Sequence, residues 1–156
     1  MNARHVAAIA AILFAGSAAP ATAAPKACAL LATDQTQISQ AIRSIFTALA
    51  KDDEAGLGAA TSSGFYAYEG KRVTGPELAA LIRKAHEAGR IYEWNLGPID
   101  IHGGCDVAWA AWENHGRVGD ATGMKPMTWL ESAALHRDGS RWVVDFLHAT
   151  RVAPAQ

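Results

Sequence analysis

The sequence predicts an α+β domain in which a curved sheet wraps helices that come early in the chain. Three observations carry this. Apolar residues recur at helical spacing in the first half and at alternating, strand-like spacing in the second. Helices early and strands late define the α+β class. The chain has 156 residues, the length of one domain, and shows no internal repeat or linker.

The first segment reads as a secretory leader, not as part of the fold. It opens Met1-Asn2-Ala3-Arg4-His5, continues with an apolar run from Val6 to Ala15, and closes with small residues and an A-x-A site at Ala21-Thr22-Ala23. Cleavage is expected after Ala23, because a cut after Ala24 would place Pro25 first. An uncleaved anchor is the alternative, since the run approaches the roughly 20 residues that span a bilayer. The expected organisation is therefore a signal peptide over 1–23, an arm over 24–33 and a domain over 34–153. Such a protein is exported, periplasmic or secreted, and free of the membrane once the leader is gone. The remaining 133 residues carry 13 basic and 15 acidic side chains. That balance argues against a nucleic-acid surface, which needs a basic patch. The length suffices for a core without staples. Cys28 and Cys105 are the two cysteines. An oxidising compartment permits a disulfide that pins the arm to the sheet, while two free thiols remain the alternative, decided by distance.

Each element follows in order. Asp34 is the expected N-cap of a first helix, with Gln37 as its capping-box partner. Ile38, Ile42, Ile45, Phe46 and Leu49 form its apolar face, and it ends near Lys51. Residues 52–60 suggest a short second helix. Phe65 to Tyr68 is a short aromatic strand, Glu69-Gly70-Lys71 a turn, and Arg72-Val73 the return. Thr74-Gly75-Pro76-Glu77 is a second capping box. Leu78, Leu81, Ile82 and Ala85 continue it as a helix that Gly89 terminates. Ile91 to Ile101 reads as a strand interrupted at Gly97-Pro98, and His102-Gly103-Gly104 as a turn. Asp106 to His115 is a strand and Gly116 to Gly123 a glycine-punctuated loop. Lys125 to Arg137 and Arg141 to Val152 are strands joined by an Asp138-Gly139 turn.

Two stretches carry a resemblance. One is Phe65-Tyr66-Ala67-Tyr68-Glu69-Gly70 ahead of the Thr74-Gly75-Pro76 helix start. The other runs from Glu131 to Trp142, with the pattern R-x-G-x-x-W near its end, and closes with Phe146-Leu147-His148-Ala149-Thr150. With the element order, these resemble the SnoaL-like members of the nuclear transport factor 2-like superfamily, and also the association domain of calmodulin-dependent kinases. The resemblance covers about residues 34–152. It implies a cone-shaped roll, one face of whose sheet lines a pocket while the other pairs with a second copy. It also implies a choice of functions, from isomerases, cyclases and dehydratases to non-catalytic association modules, so fold alone does not assign activity.

Strand alternation tells which residues share a face. Trp109, Glu113 and His115 share one, opposite Ala108, Ala110, Trp112 and Asn114. Trp129 and Glu131 share another, and Trp142, Val144, Phe146 and His148 a third. Which face is inside stays open. A carboxylate against tryptophan loses hydration and its pKa rises, so Glu113 beside Trp109 and Glu131 beside Trp129 are the candidate acid/base groups. Tyr66 and Tyr68 are candidate donors and His148 a candidate pocket group. The expected walls are Tyr66, Tyr68, Trp109 and Trp129. If Glu113 points inward, Trp112, Ala108 and Ala110 suit a dimer interface. Glu131 paired with an arginine, and Glu113 facing solvent, are the plainer alternatives.

Glu113 and His115 lack a third ligand, and no phosphate loop, dinucleotide fingerprint, metalloprotease motif or nucleophile elbow occurs. No cofactor and no metal are expected. The expected function is binding of a small apolar molecule by a homodimer, with cofactor-independent acid/base catalysis or a purely associative role as alternatives.

Overall fold

The computed structural model describes residues 28–153. The expected leader, its cleavage point and the arm up to Ala27 lie outside them. Helix α1 (Ala32–Ala50) begins two residues before the expected cap, inside the segment expected to be the arm. Asp34 is thus not the N-cap but the third helical residue. Its Oδ2 accepts the Leu31 N–H at 3.0 Å, capping the helix from inside. Its other oxygen accepts from Arg137 Nη2 at 2.6 Å and from Trp142 Nε1 at 3.3 Å. The Arg137 bond, followed by the Leu31 amide, holds this carboxyl below the usual carboxylate range. One acid therefore ties the helix start to the far end of the sheet.

Helix α2 (Glu54–Ala60) is capped by Asp53, whose Oδ1 accepts the Gly56 N–H at 2.9 Å. Strands β1 (Thr61–Tyr68) and β2 (Arg72–Thr74) form a hairpin. Helix α3 (Gly75–Glu87) starts on the expected capping box: the amide and hydroxyl of Thr74 both donate to Glu77 Oε2, at 2.8 and 2.9 Å. Gly89 follows with φ +81°, a conformation that costs glycine little and ends the helix.

Five more strands follow: β3 (Ile91–Glu93), β4 (Asp100–Gly103), β5 (Val107–Asp120), β6 (Gly123–Asp138) and β7 (Arg141–Arg151). The sheet order is β2-β1-β7-β6-β5-β3, with β4 on another length of β5. All pairs are antiparallel except β1 with β7, which is parallel. The expected interruption at Gly97-Pro98 separates β3 from β4. The expected loop over 116–123 is instead strand as far as Asp120, with a tight turn at 121–122. Its glycines answer a different need. A Cβ on Gly116 would run into the Glu93 carbonyl oxygen and the Trp129 ring, and one on Gly119 into the Gly123 carbonyl and Met124. They let neighbouring backbones come close rather than breaking the strand.

The sheet curls over α1. Ile38, Ile42 and Ile45 are fully buried against Phe65, Ala67, Ala110, Ala133, Leu135, Val144 and Leu147. Complete burial of one such isoleucine is worth about 1.5–3 kcal/mol. Cys28 and Cys105 are joined as a disulfide, their Cα atoms 5.3 Å apart. It fastens the chain just before α1 to the β4–β5 connection.

Candidate active site

Register decides what the cone encloses. In the β5–β6 ladder Trp112 lies opposite Glu131 and Asn114 opposite Trp129. Opposed residues point to the same side of a sheet. The inner side receives Ala108, Ala110, Trp112 and Asn114 from β5, with Glu131, Ala133 and Leu135 from β6, and all of these are buried.

Glu131 is 5% exposed. Its Oε2 accepts from Trp112 Nε1 at 2.5 Å and from Asn114 Nδ2 at 3.1 Å. Asn114 is itself fixed, since its Oδ1 accepts the Asn95 N–H at 2.9 Å. No described residue donates to Glu131 Oε1. No buried side-chain oxygen or nitrogen among the described residues lacks a partner, so Oε1 borders open space.

That space is a cavity of about 110 Å³. Helix α1 contributes Phe46 and Leu49 to it, and α3 contributes Leu78, Leu81 and Ile82. Tyr92 and Trp94 come from β3 and the residue after it. Trp129, Glu131 and Leu147 form the sheet wall, and Glu69 sits in the β1–β2 turn at its edge. The rings brace one another. Tyr92 stacks on Trp94 at 5.5 Å, and Phe46 stands 5.8 Å from Trp94 and 6.2 Å from Trp112.

Burial in this apolar setting pushes the Glu131 carboxyl up to about 7, and the charge of Glu69 pushes the same way. The bonds from Asn114 and Trp112 oppose the rise. Glu69 as a whole residue is exposed, yet desolvation of its carboxyl end raises it too. The result is an acid near neutrality with one oxygen clamped and the other facing a small apolar chamber, which can give or take a proton or hold a ligand's polar end.

Among the sequence candidates, Glu131 and Trp129 line this chamber. Glu113, Trp109, Tyr66, Tyr68 and His148 do not: all five lie on the outer face of the sheet. Trp109 is 52% exposed and stacks on His102 at 4.3 Å. Glu113 Oε2 meets His115 Nε2 at 3.0 Å in solvent. Tyr66 packs against Phe146 at 5.1 Å, and Phe146 stacks on His148 at 6.4 Å. Trp112, expected at an interface if Glu113 turned inward, is a buried ligand of Glu131 instead. Asn114, Glu69, Tyr92 and Trp94 complete the site without having been singled out. The parity of Asn114 with Trp112 was the available signal. Glu69 read only as a turn residue.

A larger open groove of about 550 Å³ runs between α1, α2 and the β6–β7 turn. Its charged groups, Lys51, Asp53 and Arg141, are all exposed. It holds no buried polar group comparable to Glu131. Among the described residues no cluster of three or more His, Cys, Asp or Glu is placed to hold a metal, and no helix is long and apolar enough to cross a membrane.

No family model matches the chain, and no curated protein sequence does. Solved structures do. The chain is similar to a protein of cystatin-like fold from Nostoc punctiforme, at 14% identity and a TM-score of 0.67, over 81% of this chain and 96% of that one. It is similar to a ketosteroid isomerase-like protein from Erwinia carotovora atroseptica, at 15% identity and a TM-score of 0.64, over 80% and 100%. A third likeness, at 12% identity and a TM-score of 0.61 over 76% and 98%, is to a nuclear transport factor 2-like protein from Cytophaga hutchinsonii. These likenesses and the curled sheet over α1 define the class. The chain has the nuclear transport factor 2-like α+β cone fold, and at such identities the likeness is one of fold.

Proposed function

We propose that this chain is an exported small-molecule-binding cone whose ligand sits in the chamber over Glu131. The observation that carries the reading is the Glu131 carboxyl, buried and clamped through Oε2, with Oε1 unpaired toward a cavity whose walls are mostly apolar and whose edge holds Glu69. A ligand with a compact apolar body and one polar end gives that oxygen a partner and fills the space between α1, α3 and the sheet. The leader over 1–23 supports export. The outer face supports pairing with a second copy: Tyr66, Phe146, Ala134 and Trp109 lie side by side across four strands, an apolar row of the kind that marks interaction surfaces.

Acid/base catalysis on the bound molecule is a second reading. It is favoured by the value of about 7 at Glu131, close to the optimum for proton transfer at neutral pH. The isomerase-like description of the Erwinia neighbour adds analogy of fold only.

The test is a thermal-shift and calorimetric screen against small ketones, alcohols, carboxylic acids and amines. A ligand at 100 times its Kd adds about 2.7 kcal/mol of stability. Binding lost in Glu131→Gln and Trp129→Ala but kept in Trp109→Ala supports the chamber. Binding that ignores Glu131 and Trp129 refutes it. Exchange of α-protons of a bound ketone with deuterated solvent, abolished in Glu131→Gln, separates catalysis from binding.

A further inference from the structure

The lining of the chamber is charged in one sense only. Glu131 and Glu69 are its two ionisable carboxyls, and no Lys, Arg or His is among the residues that line it. The remaining walls are aliphatic side chains and the rings of Phe46, Tyr92, Trp94 and Trp129. Aromatic faces carry partial negative charge and attract cations, most strongly where water is excluded. Carboxyls and ring faces therefore act in the same direction. A carboxylate or phosphate ligand would meet like charge in a poorly hydrated site with no cation to receive it. A neutral ligand would leave an ionised Glu131 Oε1 with a hydrogen bond at most. An alkylammonium group would supply donors to Oε1 and to Glu69 while its carbon body lay against Leu49, Leu78, Ile82 and the rings.

Resting on the chamber reading above, we infer that the ligand is a small organic cation, a primary or substituted amine with a compact branched or cyclic apolar body. Size limits the class further. A cavity of roughly 150 Å³ takes benzene, so 110 Å³ encloses a smaller body of about four or five heavy atoms, with the ammonium at the Glu69 edge.

Binding should depend on pH through the groups that face the ammonium. Glu69 lines the chamber from the β1–β2 turn, Glu131 from β6 and Tyr92 from β3. Helices α1 and α3 and strand β7 line it with Phe46, Leu49, Leu78, Leu81, Ile82 and Leu147; Arg151 of β7 lies opposite Trp129 on the same side of the sheet, exposed and outside the lining. Trp112 and Asn114 from β5 are neutral. His86, behind Tyr92 with ring centroids 5.9 Å apart, is held by Asp52 at 2.9 Å and lies outside the lining. Alkylamines stay protonated to about pH 10, so affinity should rise between pH 5.5 and 8 as the carboxyls ionise.

The test is calorimetric titration of the purified protein with three near-isosteric probes: 3-methylbutylamine, 3-methylbutan-1-ol and 3-methylbutanoate. At pH 8 the amine is expected to bind at least tenfold tighter than the alcohol, and the carboxylate not detectably. Glu69→Gln should cut amine affinity about fivefold or more and alter alcohol affinity by a much smaller factor. Glu69→Lys should abolish amine binding. Position 69 lies in an exposed turn, and a circular dichroism spectrum checks that both variants fold. Alcohol binding as tight as amine binding, with Glu131 still required, overturns the cationic class and leaves the chamber reading standing. Preferential binding of the carboxylate does the same. Failure of all three probes, with no effect of Glu131→Gln on any ligand of the wider screen, overturns both.

Discussion

Trp112 and Glu131 face each other across the β5–β6 ladder and are joined through the indole N–H at 2.5 Å. The bond spans adjacent strands, and each partner is further held: Trp112 by the edge of Phe46, Glu131 by Asn114. The carboxyl plane is therefore set by the sheet. A group whose orientation is fixed before a ligand arrives has less to lose on binding.

Protonation of Glu131 links stability to pH. Its folded value is about 7 against an ordinary 4.5. The unfolded state therefore gives up this proton first, and stability falls as pH rises from about 4.5 to 7, then levels. The loss is on the order of 3 kcal/mol. Glu69, raised by burial as well, adds in the same direction. Glu131→Gln is expected to remove most of this slope and to be more stable than the parent at pH 8. Urea unfolding at pH 5, 6, 7 and 8 measures it; parallel slopes in the two proteins would refute the assignment.

Trp112→Phe keeps the bulk and removes the donor. Hydrogen bonds to charged groups contribute about 1.5–3 kcal/mol, so a loss in that range is expected above pH 7. Because the lost bond favoured the charged form, the Glu131 titration should move still higher. Carbon-13 NMR of labelled glutamate carboxyls follows it directly, and an unmoved midpoint would show that the indole contributes nothing to ionisation.

Much of this was legible in the residues. Helical spacing located α1 and α3, the Thr74–Glu77 capping box fixed the start of α3, and alternation grouped Trp129 with Glu131. Alternation does not give the register between strands. Glu113 and Glu131 were both expected in the pocket, but Glu113 lies opposite Leu130 and Glu131 opposite Trp112, so one of the two must face out. His148 was lost to a bulge. Leu135 pairs with Val144 while Ala134 pairs with Phe146, which leaves Asp145 as the extra residue. Val144 therefore points in, and Phe146 and His148 point out. Glu69 entered the site through the closure of the cone over the β1–β2 turn, a contact that no local pattern encodes.

The Cys28–Cys105 bridge closes a span of 77 residues. Loop-entropy arguments assign such a cross-link about 4 kcal/mol, with strain or residual structure lowering the figure. The Cys28→Ser, Cys105→Ser double variant should therefore melt well below the oxidised parent, and the parent with reductant should approach it. A melting temperature unchanged by reductant would mean the bridge contributes nothing to stability.

Ala134 lies between Trp109 and Phe146 on the neighbouring strands, at the centre of the outer row proposed above to pair with a second copy. Ala134→Arg puts a charge into that row and should convert a dimer to a folded monomer, as read by sedimentation equilibrium. Ligand binding in the chamber should survive, since Ala134 points away from Glu131. A monomeric parent would refute the pairing.

Gly116 tests whether the β5 glycines serve close packing. Its missing Cβ leaves room for the Glu93 carbonyl oxygen on one side and the Trp129 ring on the other. Gly116→Ala must push β3 away from β5 or tilt Trp129 into the chamber, and overpacking of this kind costs about 1–3 kcal/mol. Gly123, at the start of β6, has nothing within 4 Å of a modest added methyl and no positive φ, so Gly123→Ala should be close to neutral. Because Trp129 is also a wall, Gly116→Ala should weaken ligand binding by more than its stability loss accounts for, whereas Gly123→Ala should not. Equal melting temperatures for the two variants would show that β3 yields freely, and that Trp129 is held by something other than the glycine beneath it.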